Sequence, residues 1–199
     1  MNSIFIIRHG ETEWNKKNVF QGKSNSPLTK KGIEAAKSFA KSLKGKNIKH
    51  IYSSPLTRTH ETSTIIADIL DAKIILIPEF EEMNFGLLEG KTLKEVEPQY
   101  KEFFIRRSAD VLYKIATPFP KGESYLDLYK RLKNVMPNLT KNHDNFIIVG
   151  HQSINRVIRA IILDIPLEFA VTWRQKKHEY YEIDIKNKKE YTHRITSGF

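Results

Sequence analysis

Arg8 and His9 stand directly after four apolar, mostly β-branched residues, Ile4, Phe5, Ile6 and Ile7, a run that reads as a short buried strand. A fixed cation and a titratable nucleophile therefore sit where a strand empties into a loop. In open α/β sheets, ligands bind beyond the carboxyl ends of the strands. Gly10 lets the backbone run close to whatever lies there. The pair suits an anion, and a phosphoryl group best of all: a forked guanidinium matches its oxygens and an imidazole can attack its phosphorus. Alone, the two are equally well read as the first polar residues after a core strand. The rest of the chain changes that reading. Gly150 and His151 close another apolar run, Phe146 to Val149. Arg58 falls one turn into the helix expected after a further strand, Ile48 to Ser53. In a parallel sheet these strand ends lie side by side, so both histidines and both arginines can meet.

The elements that must position them alternate along the chain. A polar loop from Glu11 to Pro27 leads to a helix from about Lys30 to Leu43, capped by Thr29 and ended by Gly45, with Ile33, Ala36, Phe39, Ala40 and Leu43 at helical spacing. After the Ile48–Ser53 strand, Pro55 fits the first turn of a helix whose apolar face is Leu56, Ile65, Ile66, Ile69 and Leu70. A strand at Ile74–Ile77 stops before Pro78. Residues 79–120 break the alternation. They hold a capping-box pattern at Thr92 and Glu95, then aromatic and basic residues, and read as an insertion folded over the site. Helix is expected again from about Glu123 to Lys141, then the Phe146–Val149 strand and an apolar helix from Ser153 to Leu163. Alternating segments Tyr180–Ile185 and Tyr191–Ile195 read as a hairpin or edge strands. The expected architecture is α/β: one domain over 1–199, a three-layer sandwich with a mostly parallel sheet, helices on both faces and an antiparallel edge.

At 199 residues, 28% charged and 40% hydrophobic, the composition is that of an ordinary globular chain. The absence of cysteine excludes disulfides, thiolate metal sites and cysteine nucleophiles. No signal-peptide pattern and no apolar run near the ~20 residues of a membrane span appear, so a cytoplasmic location without membrane contact is expected. The net charge of +10 invites a nucleic-acid reading. The lysines are scattered rather than concentrated on one helix, so no nucleic-acid partner is expected, and the excess charge would attract small anions.

Four stretches in order resemble the histidine phosphatase superfamily, the phosphoglycerate-mutase-like fold: RHGETEWN at Arg8–Asn15, SSPLTRTHET at Ser53–Thr62, EEMNFGLLEG at Glu81–Gly90 and VGHQSINR at Val149–Arg156. Gln21–Gly22, Pro27 to Thr29 with Gly32, and Gly122 to Ser124 support them. The resemblance implies that His9 is a nucleophile that becomes transiently phosphorylated. It implies that Arg8, Arg58 and His151 bind the phosphoryl oxygens, and that Glu82 gives a proton to the leaving group and takes one from water. Glu82 is preferred to Glu81 because it lies four residues before Gly86. Asn15, Gln21, Gly22 and the backbone at Gln152 complete the phosphate cradle. No metal or other cofactor is expected, since two adjacent arginines would repel a divalent cation.

Departures from the family pattern are Gln152 for a frequent glycine (His-Gln also occurs in the branch with fructose-2,6-bisphosphatase), Leu88 for tryptophan, Ser63 for alanine, and the segment Gln175 to Glu179. His50, His60, His143, His178 and His193 read as surface or capping residues, Trp14 as packing, and Arg156 as structural or substrate-reaching. The expected function is a phosphomonoester hydrolase acting on a small phosphorylated metabolite. A cofactor-dependent mutase and a non-catalytic phosphate-binding protein are the alternatives. Phe103, Phe104, Arg106, Arg107 and Tyr113 are the expected leaving-group contacts, and a monomer or homodimer is expected.

Overall fold

The computed structural model of the protein describes residues 2–141 and 144–195; His143 lies outside them. Among the described residues, six strands form one sheet: β1 (Ser3–Arg8), β2 (Ile48–Ser53), β3 (Lys73–Leu76), β4 (Asn145–Gly150), β5 (Glu179–Asp184) and β6 (Lys189–Arg194), in the order β3-β2-β4-β1-β5-β6. The first four run parallel to one another, and β5 and β6 add an antiparallel edge. The α/β layout read from the sequence is the observed one.

Parallel neighbours require crossover connections, and helices supply them. The polar loop after β1 carries a short helix, α1 (Glu13–Lys16), started by a Thr12–Asn15 capping box. The longer helices are α2 (Lys30–Ser42), α3 (Thr57–Leu70), α4 (Leu93–Ala109), α5 (Val111–Ala116), α6 (Tyr125–Leu132), α7 (Met136–Thr140) and α8 (Gln152–Leu163), followed by α9 (Leu167–Ala170). Strand alternation divides the core in two. Ile4, Ile6, Phe146 and Ile148 face α6, α7 and α8 through Leu128, Leu132, Met136, Ile154 and Ile158. Phe5, Ile7, Ile147 and Val149 face α2 and α3 through Ala36, Phe39, Ala40 and Ile66. Helices thus cover both faces, which is why β1 and β4 read as unbroken apolar runs rather than alternating ones.

Three local expectations are corrected. The helix expected from Glu123 to Lys141 is two, α6 and α7, because Pro137 has no N–H for a continuous ladder and instead stands in the first turn of α7. Pro55 lies outside α3: Leu56 is the cap, and the helix begins at Thr57. Gly10 approaches protein rather than a ligand, since a Cβ there would stand 2.6 Å from the Gly32 carbonyl oxygen, at the start of α2.

The site follows from one register. Arg8 is paired with Gly150, so the ends of β1 and β4 meet in the middle of the sheet. The ladder from β1 to β5 stops at Ile6 opposite Tyr181, and side chains take over. Buried Asn155 donates to Ile7 O at 3.3 Å and to Gln175 Oε1 at 2.7 Å, while Gln175 donates to Ile6 O at 3.0 Å. A Cβ at position 150 would lie 2.3 Å from Asn155 Oδ1, so only glycine passes there.

Candidate active site

His9 leaves β1 with its N–H donating to Gly150 O at 3.0 Å. Its Nδ1 donates to Gly10 O at 2.8 Å, which fixes the tautomer and leaves Nε2 without a proton. Gly10 N in turn donates to Thr62 Oγ1, and Thr62 donates to Arg58 O, tying the loop after β1 to α3. The His9 and His151 rings lie with centroids 5.2 Å apart. His151 is fully buried, its Nε2 3.0 Å from Ser54 Oγ and its Nδ1 without a partner.

Arg58 is 1% exposed and points its guanidinium into the loop before α2, donating to Ser24 O at 2.7 Å and Gly22 O at 2.6 Å. That loop is held by Glu89, which accepts from Lys23 N, Ser24 N, Ser24 Oγ and Phe85 N. Glu89 was not among the residues singled out in the sequence, although it belongs to the same EEMNFGLLEG stretch as Glu82. Gly22, at φ +53°, is left-handed, and a Cβ there would collide with the Glu89 carboxylate. Glu82 accepts from Met83 N at 2.9 Å and from Ser153 N, in the first turn of α8, at 3.3 Å. The amino end of α8 faces the same space, and its exposed N–H groups favour an anion.

These groups open onto one cavity of about 530 Å³. Arg8, His9, Asn15, Gln21, Gly22, Arg58, Glu82 and Gln152 all line it; His151 does not, although its ring is next to that of His9. Gln21 commits its amide to Thr12 Oγ1 at 2.7 Å. The Gln152 side chain, with its amide oriented by the bonding pattern, pairs with the backbone N–H and C=O of Gln175, both at 3.2 Å.

The expected leaving-group contacts need correction. Of the five, only Arg107 lines the cavity. Arg106 lies over the Tyr113 ring at 4.3 Å, and Phe103 and Phe104 pack against the core. The cavity wall instead carries Lys114, Phe119, Tyr125, Arg156 and Arg174. Arg156 ends the VGHQSINR stretch, and its position on the wall fits the substrate-reaching of its two readings. No motif marks Lys114, Phe119, Tyr125 or Arg174, whose convergence depends on how α5, α6 and the segment after α9 dock. Glu11, at the start of the polar loop after β1, pairs with Lys177 and accepts from Thr29. Among the other histidines, His193 pairs with Glu182 at 3.0 Å.

Electrostatics follow from burial beside the arginines. Desolvation first, then the Arg58 and Arg8 charges, hold His9 well below 6.5. Desolvation and then Arg58 do the same to His151. Desolvation pushes Arg58 down to about 10, which still leaves it charged at neutral pH. Both imidazoles are therefore neutral in the fold. Their contribution to stability is complete above the unfolded value of 6.5. It is lost as pH falls below that, because the unfolded chain then binds more protons, at about 1.4 kcal/mol per pH unit per histidine until the depressed folded value is reached. Melting curves between about pH 7.5 and about pH 5 are expected to show a shallower pH dependence in His9→Asn than in the wild type. Equal slopes would remove His9 from this account.

Among the described residues no group of three or more His, Asp or Glu side chains is placed to hold a metal ion. No helix among them is long and apolar enough to cross a membrane. Residues 4–197 match the sequence profile of the histidine phosphatase superfamily (branch 1). The chain belongs to the histidine phosphatase superfamily. An Escherichia fergusonii relative named probable phosphoglycerate mutase GpmB is 37% identical over 171 residues, covering 83% of this chain and 77% of its own. The crystal structure of α-ribazole phosphatase from Shigella flexneri superposes with a TM-score of 0.83 at 25% identity, covering 98% of this chain and 96% of its own. Phosphoserine phosphatase from Entamoeba histolytica, in complex with 3-phosphoglyceric acid, gives 0.79 at 25% identity over 100% and 98% of the two chains. This histidine phosphatase fold therefore has both phosphatases and a mutase-named protein among its relatives.

Proposed function

We propose that this superfamily member is a phosphomonoester hydrolase that acts on a small phosphorylated metabolite through a phosphohistidine at His9. The observation that carries the reading is the buried His9, tautomer-locked through Gly10 O, sharing one cavity with the Arg8 and Arg58 guanidinium groups. Its Nε2 attacks phosphorus, forming an N–P bond as the bond from phosphorus to the ester oxygen breaks. Glu82 gives its proton to the departing oxygen. Arg8 and Arg58 balance the charge on the equatorial oxygens, with α8 N–H groups beside them. Water then attacks phosphorus, Glu82 takes its proton, and the N–P bond breaks to release phosphate and regenerate neutral His9. The open cavity admits that water.

The relationship to a protein named as a phosphoglycerate mutase favours a second reading, in which an alcohol oxygen of the bound substrate rather than water accepts the phosphoryl group. Incubation with a panel of small phosphoesters without added metal distinguishes the two. Hydrolysis predicts release of inorganic phosphate, inhibited by vanadate. Turnover of phosphoglycerate with negligible phosphate release would reverse the choice.

A further inference from the structure

The acid of the proposed reaction, Glu82, stands on chain with no ladder of its own. From Glu81 to Phe85 the backbone belongs to no helix or strand and runs between two single 3₁₀ turns, Pro78–Phe80 and Gly86–Leu88. Nothing local decides which of two adjacent carboxylates enters the cavity. The fold separates them: Glu81 pairs with Lys23 at 2.9 Å, on the loop before α2, whereas Glu82 is buried and lines the cavity. Proton transfer needs its partners within hydrogen-bond reach, so the orientation of this segment has to be set from outside it.

Two side chains set it. Arg131, on α6, donates from Nη1 to Glu79 O at 2.7 Å and to Glu81 O at 2.8 Å. Its Nη2 donates to Glu123 Oε2 at 3.1 Å. The same Glu123 oxygen accepts from Asn84 N at 2.8 Å, while Glu123 N donates to Asn84 O at 2.8 Å. The ion pair thus grips the chain one residue before Glu82 and two residues after it, through charge-assisted bonds in a partly buried setting. Gly122 makes room for the clasp: a Cβ there would stand 2.3 Å from Asn84 O. Neither Arg131 nor Glu123 lines the cavity.

Resting on the phosphatase reading, we propose that the Arg131–Glu123 ion pair is a positioning device for proton transfer: it fixes the backbone so that Glu82, and not Glu81, meets the leaving oxygen. Both are positioning residues that act through Glu82. A planar guanidinium suits the task because one rigid fork spans two carbonyls and a carboxylate.

The readout is the ratio of kcat/KM for an alkyl phosphate to kcat/KM for p-nitrophenyl phosphate. A departing alkoxide needs the proton and p-nitrophenolate does not, so a misplaced acid lowers the ratio. A loosened or partly unfolded protein lowers both esters alike and leaves it unmoved. Arg131→Gln is expected to lower the ratio by about tenfold or more. Glu123→Gln keeps an acceptor for Asn84 N but removes the charge that holds Arg131, and should lower it by about threefold or more. The pair of variants also excludes a direct charge effect. Arg131 is the last of the influences, after burial, Arg58, His9 and Arg8, that hold down the His151 pKa. Acting by charge alone, loss of Arg131 and loss of Glu123 would move the ratio in opposite directions; acting through position, both lower it. In a Glu82→Gln background neither substitution should lower the ratio further, because the group they place is gone. An unchanged ratio, opposite shifts, or a further full loss on top of Glu82→Gln overturns the positioning role and leaves the phosphatase reading standing. Should Arg131→Gln not fold, Glu123→Gln and its double variant with Glu82→Gln decide alone. No phosphate from either ester with the wild type overturns the phosphatase reading, and the positioning role falls with it.

Discussion

His9→Ala eliminates phosphate release and leaves phosphate binding in place. Among the described residues, the substitution removes the only imidazole nitrogen that is both deprotonated and open to the cavity. His151 cannot replace it, because its ring is fully buried outside the cavity lining with Nε2 against Ser54. Arg8, Arg58 and the α8 amino end remain, and Arg58 is held by loop carbonyls that do not involve His9. The loss in kcat is expected to be on the order of 10⁴-fold or more, as for deletion of other covalent nucleophiles. Inorganic phosphate, titrated calorimetrically, should bind the variant within about tenfold of the wild type, since one neutral side chain is lost and both cations stay. Retained turnover would exclude the phosphohistidine. Retained biological effect without turnover would instead favour a phosphate-binding protein over an enzyme.

The pH dependence of the same step has a fixed sign. Protonated His9 cannot attack phosphorus, and burial beside Arg58 and Arg8 keeps its pKa well below 6.5. The acid limb of kcat/KM, which reports the unliganded enzyme, is therefore expected below the ordinary histidine range.

The parts of this site legible in the sequence are those carried on strand ends. Arg8, His9 and His151 follow apolar runs too short and too β-branched for helix, and a parallel sheet leaves such ends adjacent. Arg58 and Glu82 were legible only through their motifs, since neither follows from periodicity. Of the leaving-group wall, Arg107 and Arg156 were legible, whereas Lys114, Phe119, Tyr125 and Arg174 were not. Arg106 and Arg107 are adjacent on a helix, so about 100° separates them, and only the docking of α4 decides which one enters. That docking is altered inside the helix itself: Pro98 breaks the ladder, and Tyr100 is non-helical at φ −120°, ψ 25°. Lys114, Arg156 and Arg174 reach the cavity because carbonyls after α9 hold two of them, and α9 itself gave no signal. Gln175 illustrates the same limit. It belongs to a segment that departs from the family pattern, which gives it no role in the sequence, yet it lies 1% exposed and completes the polar end of β1.

Glu82→Gln separates proton transfer from positioning. The side chain keeps its shape, and with a single carbonyl oxygen it can still accept from Met83 N or Ser153 N, the two donors that hold the carboxylate. An alkoxide leaving from phosphorus needs a proton, so kcat/KM for an alkyl phosphate should fall by about 10²–10⁴-fold. p-Nitrophenolate leaves unaided, so its formation should be far less affected in the first step. The second step still needs a base to take the proton from water, and phosphoenzyme should accumulate as a burst of p-nitrophenol in rapid-quench measurements. Charge supplies an independent sign. Glu82 is the main counter-charge raising the pKa of Arg8 and Arg58 against burial. Its removal leaves both cations less compensated, so a phosphate dianion should bind more tightly and KM should fall as kcat falls. An equal loss for both leaving groups, with KM unchanged or raised, would make Glu82 a residue that orders the α8 amino end rather than one that moves a proton.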